Sequence, residues 1–79
     1  MKKKNVARTL LALNVRRMRQ EAGLSQERLA AECGFHRTYI SQVEREVSNI
    51  TIDNLDRIAA YFDVEAAKLL EMPQGRVTP

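Results

Sequence analysis

Histidine and cysteine are nearly absent from this chain: His36 and Cys33 are the only ones in 79 residues. A lone cysteine closes no intrachain disulfide, and one histidine beside it cannot make the set that structural zinc requires. No metal or other cofactor is expected. Glycine occurs three times and proline twice, the prolines at 73 and 79, so helix formers run with few interruptions and the chain reads as all-α. Also missing is any apolar run near the roughly 18 residues needed to span a bilayer. "MKKKNVARTLLALNV" has the lysines-then-leucines look of a secretory signal, but its apolar part is short and broken. "NVRRMRQ" overlaps its end, where a small-residue cleavage site would stand. A soluble, cytoplasmic protein without a membrane partner is expected. No carboxylate pair, nucleophile–histidine set or glycine-rich phosphate loop is present, so the chain does not read as an enzyme, and no small-molecule ligand is evident.

What is present is one domain's worth of chain, taken as residues 1–72, with "PQGRVTP" (73–79) as a frayed tail. Charge is unevenly distributed. Residues 1–20 carry seven Lys or Arg and no acid, a charge of +7; the rest carry six basic and ten acidic side chains, a charge of −4. A basic end of this kind attracts phosphate or acidic lipid, or is simply a solvated tail.

Apolar spacing predicts five helices. The first runs from about Val6 to Glu21, with Ala7, Leu11, Val15, Met18 and Ala22 on one face, and Gly23 ends it. A second stripe, Val6, Leu10 and Leu13, is expected to cover the fifth helix. Ser25 is a natural cap for a second helix from Gln26 to Cys33, with Leu29, Ala30 and Cys33 inward. There Cys33 reads as a small buried hydrophobe. Gly34 turns the chain into a third helix over about Arg37 to Arg45. A fourth, capped by Asn49 or Thr51, points Ile52, Leu55, Ile58, Ala59 and Phe62 inward. A short fifth covers about Glu65 to Glu71.

Two short helices joined by a tight glycine turn have the layout of a helix-turn-helix. On the second of them Thr38, Gln42 and Arg45 share a narrow arc opposite Ile40, Ser41 flanks it, and Arg37 projects from the first turn. Amide, hydroxyl and guanidinium groups are the types that read base edges in a major groove. A polar outer face alone marks any surface helix; the tight turn and the basic bias are what set this one apart.

"GLSQERLAAECGFHRTYISQVEREVSNITIDNLDRIAAYFDV" resembles the Cro/cI-type (XRE) helix-turn-helix family of phage repressors and bacterial regulators, over about Leu11 to Leu70. Gln26, Ala30, Gly34, Ile40, Val43 and Glu44 carry the pattern. Within it, "RTYISQVER…NIT…L" is most similar to the controller proteins of restriction–modification systems. The resemblance implies a compact five-helix repressor-like domain that binds a double-stranded DNA operator. It implies Arg37, Thr38 and Gln42 as base readers, with Arg37 on guanine or, alternatively, on phosphate. It assigns the DNA backbone to Gln26, Tyr39, Ser41, Arg45, Asn49 and Thr51, although the Tyr39 ring is as well suited to packing on the turn. Relatives commonly have glycine or asparagine after "ER", where the helix ends in a left-handed turn; this chain has Glu46.

Glu44 falls on the inward side of the third helix, and a buried carboxylate needs a partner. The resemblance supplies Arg19. One reading helix discriminates weakly, so a homodimer on a near-palindromic operator is expected, with half-sites about 34 Å apart. Its interface is assigned to Ala66, Leu69 and Met72 with the end of the fourth helix. The controller resemblance further implies two dimers on tandem sites. A phage-type repressor, an antitoxin-type autoregulator and a protein-binding module without DNA affinity are the alternatives.

Overall fold

The computed structural model describes residues 6–73 and contains four α-helices and one 3-10 helix among them. The helices are α1 (Val6–Glu21), α2 (Gln26–Cys33), α3 (Tyr39–Glu44) and α4 (Ile52–Tyr61); the 3-10 helix is Ala66–Leu70. The N-terminal lysines and all of the expected tail except Pro73 lie outside the described residues. None of the described helices is long and apolar enough to cross a membrane.

All four α-helices end with the same local device. After α1, Gly23 N–H donates to Gln20 O and Leu24 N–H to Arg19 O, each at 3.0 Å. Gly34 and Phe35 repeat the pattern after α2, Glu46 and Val47 after α3, and Asp63 and Val64 after α4. This paired bond requires a left-handed residue at the turn. Gly23 and Gly34 supply it at φ 73° and 79°. Glu46 and Asp63 adopt it at φ 65° and 58° despite their side chains, at a cost of about 1–2 kcal/mol each. The starts are more varied. The Ser25 hydroxyl accepts from Arg28 N–H, and the Thr51 hydroxyl from Asn54 N–H.

Leu11, Val15, Leu29, Ala30, Ile40, Val43, Leu55, Ile58, Ala59 and Leu69 form one core drawn from all five elements. Each fully buried Leu, Ile or Val in it is worth about 1.5–3 kcal/mol relative to exposure. α3 packs on α1 and α2, while the 3-10 helix packs on α1 and α4, so α3 lies between two longer supports.

Several expectations need correction. The fifth helix is a 3-10 turn rather than an α-helix; after Glu65 only five residues separate the bends of the chain, too few for a stable α nucleus. The α3 helix proper starts at Tyr39, two residues later than expected, and ends at Glu44. Ala7 and Ala22 are exposed, and Ile52 is 72% exposed, so these three expected inward residues stand clear of the core. Val6 and Leu13 are also exposed, so the stripe expected to cover the last helix does not. Buried Asn14 does so instead: its amide donates to Leu69 O at 2.8 Å and Glu71 O at 2.9 Å. Leu69, assigned to a dimer interface, is 0% exposed and belongs to the core. Ala66 is half-buried against that core, and Met72 is exposed.

Candidate nucleic-acid interface

The third helix is locked from below. The Glu44 side chain is 0% exposed. Arg19 grips it with two bonds, Nε to Oε2 at 2.6 Å and Nη2 to Oε1 at 3.0 Å. Gln26 Nε2 donates to Oε1 at 2.9 Å, and Arg16 Nε lies 3.4 Å from the same oxygen. Arg19 Nη1 also donates to Leu24 O at 2.8 Å. One carboxylate therefore ties α1, α2 and α3 together, and the forked guanidinium sets their relative orientation. Burial pushes the Glu44 carboxyl up, but the hydrogen bonds from Arg19 and Gln26 and the charges of Arg19 and Arg16 outweigh it. Glu44 is held below the usual carboxylate range. The bond to Glu44 likewise raises Arg19 against the opposing effect of burial.

The expected pair of Arg19 and Glu44 is thus formed, and Gln26, expected on phosphate, spends its amide on the same carboxylate. Gln26 remains only partly buried at the start of α2.

The outer side of α3 is open. Arg37 and Thr38 are exposed in the turn that leads into it, and Gln42 is half-exposed one turn later. The Gln42 N–H donates to Thr38 O at 3.1 Å, which stacks the two on one face. Among the described residues, neither Arg37 nor Arg45 has a carboxylate within salt-bridge distance. Their charges remain available at the surface. Ser41 Oγ donates to Thr38 O at 2.9 Å and is half-buried, so its hydroxyl hydrogen is directed into the helix.

Tyr39 packs inward. Its ring lies 4.5 Å from the Phe35 ring, and its hydroxyl accepts from Asn54 Nδ2 at 3.2 Å. Arg57 sits over the other aromatic partner, 4.8 Å from the Phe35 centroid. These contacts stiffen the turn between α2 and α3. Asn49 and Thr51 are exposed in the segment between α3 and α4. Asn49 Oδ1 accepts from Arg8 Nη2 at 2.6 Å, and Glu46 Oε1 accepts from Thr9 Oγ1 at 2.8 Å. The start of α1 thereby clasps the loop that follows α3. Thr51 serves as the cap of α4. Cys33 is half-buried against the core, and burial raises its thiol, which disfavours the reactive thiolate.

Thr38 and Gln42 therefore share one face, and Arg37 and Arg45 are exposed just before and just after α3, whereas Tyr39 and Gln26 are occupied internally. The helix spacing did not point to Asn14, Arg8, Thr9 or Arg57. Their partners lie 41, 37 and 55 residues away for Arg8, Thr9 and Asn14, beyond anything local periodicity registers. Arg16 was similarly legible only as part of a basic end.

Comparison with known proteins bears on this arrangement. A family described as Helix-turn-helix (HTH_3) matches residues 15–69. A hypothetical transcription factor of Neisseria meningitidis serogroup B is 47% identical over 70 residues, 89% of this chain; the alignment spans 66% of that protein's length. A crystal structure of the same description from Neisseria superposes with a TM-score of 0.83 at 42% identity, covering 96% of this chain and 90% of that one. Control protein C.BamHI of Bacillus amyloliquefaciens is 41% identical over 68 residues, 85% of this chain and 84% of its own. The restriction–modification controller protein C.Esp1396I, solved as a tetramer in complex with its natural 35 base-pair operator, has a TM-score of 0.71 at 30% identity. That alignment covers 85% of this chain and 87% of the other.

Proposed function

The chain belongs to the helix-turn-helix (HTH_3) family, and from that premise we propose that it is a sequence-specific DNA-binding transcriptional regulator, the controller protein of a restriction–modification system. The observation that carries the reading is the contrast across α3: a buried, fully paired Glu44 on the inner side and exposed Arg37 and Thr38 with Gln42 on the outer. Rigid anchoring matters because base recognition needs donors and acceptors held in register with the groove.

In this reading Arg37, Thr38 and Gln42 face base edges, Arg37 bonding guanine O6 and N7 through its fork. Arg45, Asn49 and Thr51 approach the phosphates and set the register without reading sequence. Ser41 and Tyr39 act from behind, the one bracing the helix start and the other the turn. Gln26 contributes the start of α2, whose free amides favour an anion. The protein works in the cytoplasm as a homodimer on a near-palindromic operator. Exposed Met72, half-buried Ala66 and exposed Tyr61 at the end of α4 provide the interface. The similarity to C.BamHI supports the controller role, and the tetramer seen with C.Esp1396I and its operator supports two dimers on tandem sites.

Selection of bound duplexes from random DNA, followed by titration of the recovered site at several salt concentrations, tests this. A recovered near-palindrome whose affinity falls steeply with salt is the expected result. Binding that ignores both sequence and salt would end the proposal.

A further inference from the structure

His36 has no place in the reading above, yet it is bonded to one of the residues assigned to bases. The Thr38 N–H donates to His36 Nδ1 at 3.2 Å, and Thr38 Oγ1 lies 3.0 Å from the same nitrogen. An amide N–H can only donate, so Nδ1 must be the unprotonated nitrogen, and the neutral ring carries its proton on Nε2. With Nδ1 an acceptor, the bond between it and the Thr38 hydroxyl has one possible direction: Thr38 donates, its hydroxyl and its N–H sharing the single Nδ1 lone pair in a three-centre arrangement. The single hydroxyl hydrogen is then turned toward the imidazole, and Oγ1 presents only lone pairs outward.

We propose that His36 is a specificity-determining positioning residue: it fixes the Thr38 hydroxyl as a hydrogen-bond acceptor, so that Thr38 selects a base with an amino group. In the major groove those donors are adenine N6 and cytosine N4, while guanine and thymine present acceptors at the matching edge. A freely rotating threonine hydroxyl would accept from or donate to either kind and would discriminate little. The inference rests on the DNA-binding reading and adds to it the chemical class of base that one position recognises.

His36 and Thr38 are both exposed, so replacing either leaves the core intact. His36→Asn retains a side-chain oxygen able to accept from the Thr38 N–H and hydroxyl, whereas His36→Ala removes the acceptor. The test has two arms. Without DNA, long-range 15N–1H correlation of the imidazole is expected to show the Nε2–H tautomer, and the Thr38 amide resonance is expected to move in His36→Ala. With DNA, the parent is titrated against its selected operator and against variants at each half-site position. One position is expected to favour adenine or cytosine over guanine and thymine by about threefold to tenfold, the range of one net hydrogen bond. That preference should vanish in Thr38→Ala, flatten in His36→Ala and return in His36→Asn, while the base preferences at the other positions hold. An Nδ1–H tautomer would overturn the proposal, as would a Thr38-dependent preference for guanine or thymine. So would a preference unchanged in His36→Ala. Failure of the parent to bind any duplex would bring down the DNA-binding reading together with this one; salt-dependent binding without the Thr38-dependent preference would bring down this one alone.

Discussion

The two ends of α3 are held by opposite means. At its C-terminal end Glu44 is buried and answered by Arg19, Gln26 and Arg16 from two other helices. At its N-terminal end Tyr39 packs inward on Phe35 and Asn54, but the bonds of the outward side chains are short-range and exposed: His36 to Thr38, and Ser41 back to Thr38 O. A buried carboxylate is costly to disturb, so the first arrangement fixes where the helix sits. Exposed local bonds cost little to exchange, so the second leaves side chains free to meet a ligand while limiting their rotation. Glu46 sharpens the contrast. It is two residues from Glu44 and also bonded to α1, through Thr9, but it is exposed and left-handed.

The largest effect is expected at the buried end. Arg19→Ala leaves Glu44 facing only Gln26 and the half-exposed Arg16, and should lower the unfolding free energy by about 3–5 kcal/mol in a urea titration. Replacing both partners, as in Arg19→Met with Glu44→Leu, should recover most of that loss, because the unanswered charge is gone. If the single and double variants were equally destabilised, the loss would belong to packing and not to charge.

The pH dependence follows from the same group. Glu44 is ionised more readily in the folded chain than in the unfolded one. Its contribution is therefore fully present above the unfolded value, about 4.3, and is lost as pH falls through the lower folded value. Thermal melts from pH 7 down to pH 2 should show an acid limb that is shallower in Glu44→Gln, a variant already destabilised at neutral pH.

At the exposed end the expected change is in binding and not in folding. Arg37→Ala should weaken operator affinity by about 1–3 kcal/mol and relax one base position. Its unfolding free energy from a urea titration should stay within about 0.5 kcal/mol of the parent. An equal loss on every sequence would reassign Arg37 to phosphate. The smallest change is expected at Glu46→Gly. Relief of the left-handed backbone, less the extra chain entropy of glycine and the lost bond to Thr9, should stabilise the fold by about 0.5 kcal/mol. Removing a carboxylate from that loop should also tighten DNA binding, which a filter or anisotropy titration would register.

Legibility in the sequence followed the range of the interaction. Gly23, Gly34, Ser25 and Thr51 mark helix ends through bonds spanning three to five residues, and all four act where local chemistry puts them. The helix-turn-helix and the outward set Arg37, Thr38 and Gln42 follow from helical spacing and one tight turn. Leu69 and Leu70 show the limit. Adjacent leucines in a short segment can each face inward, and nothing local says that Leu69 becomes fully buried while Asn14 caps it. Tyr39 and Gln26 show it again: both carry groups suited to phosphate, and both find nearer partners in the folded chain.

Composition and helical period were enough to specify an all-α chain, its breaks, and which side of α3 stays polar, because those depend on neighbours within about one turn. The depth of Glu44, the burial of Asn14 and the clasp of Arg8 and Thr9 on the loop after α3 depend on contacts tens of residues apart. Such contacts exist only once the helices have packed. Until then no side chain has a low-dielectric neighbour to pair with, and no carboxylate has a reason to choose its arginine.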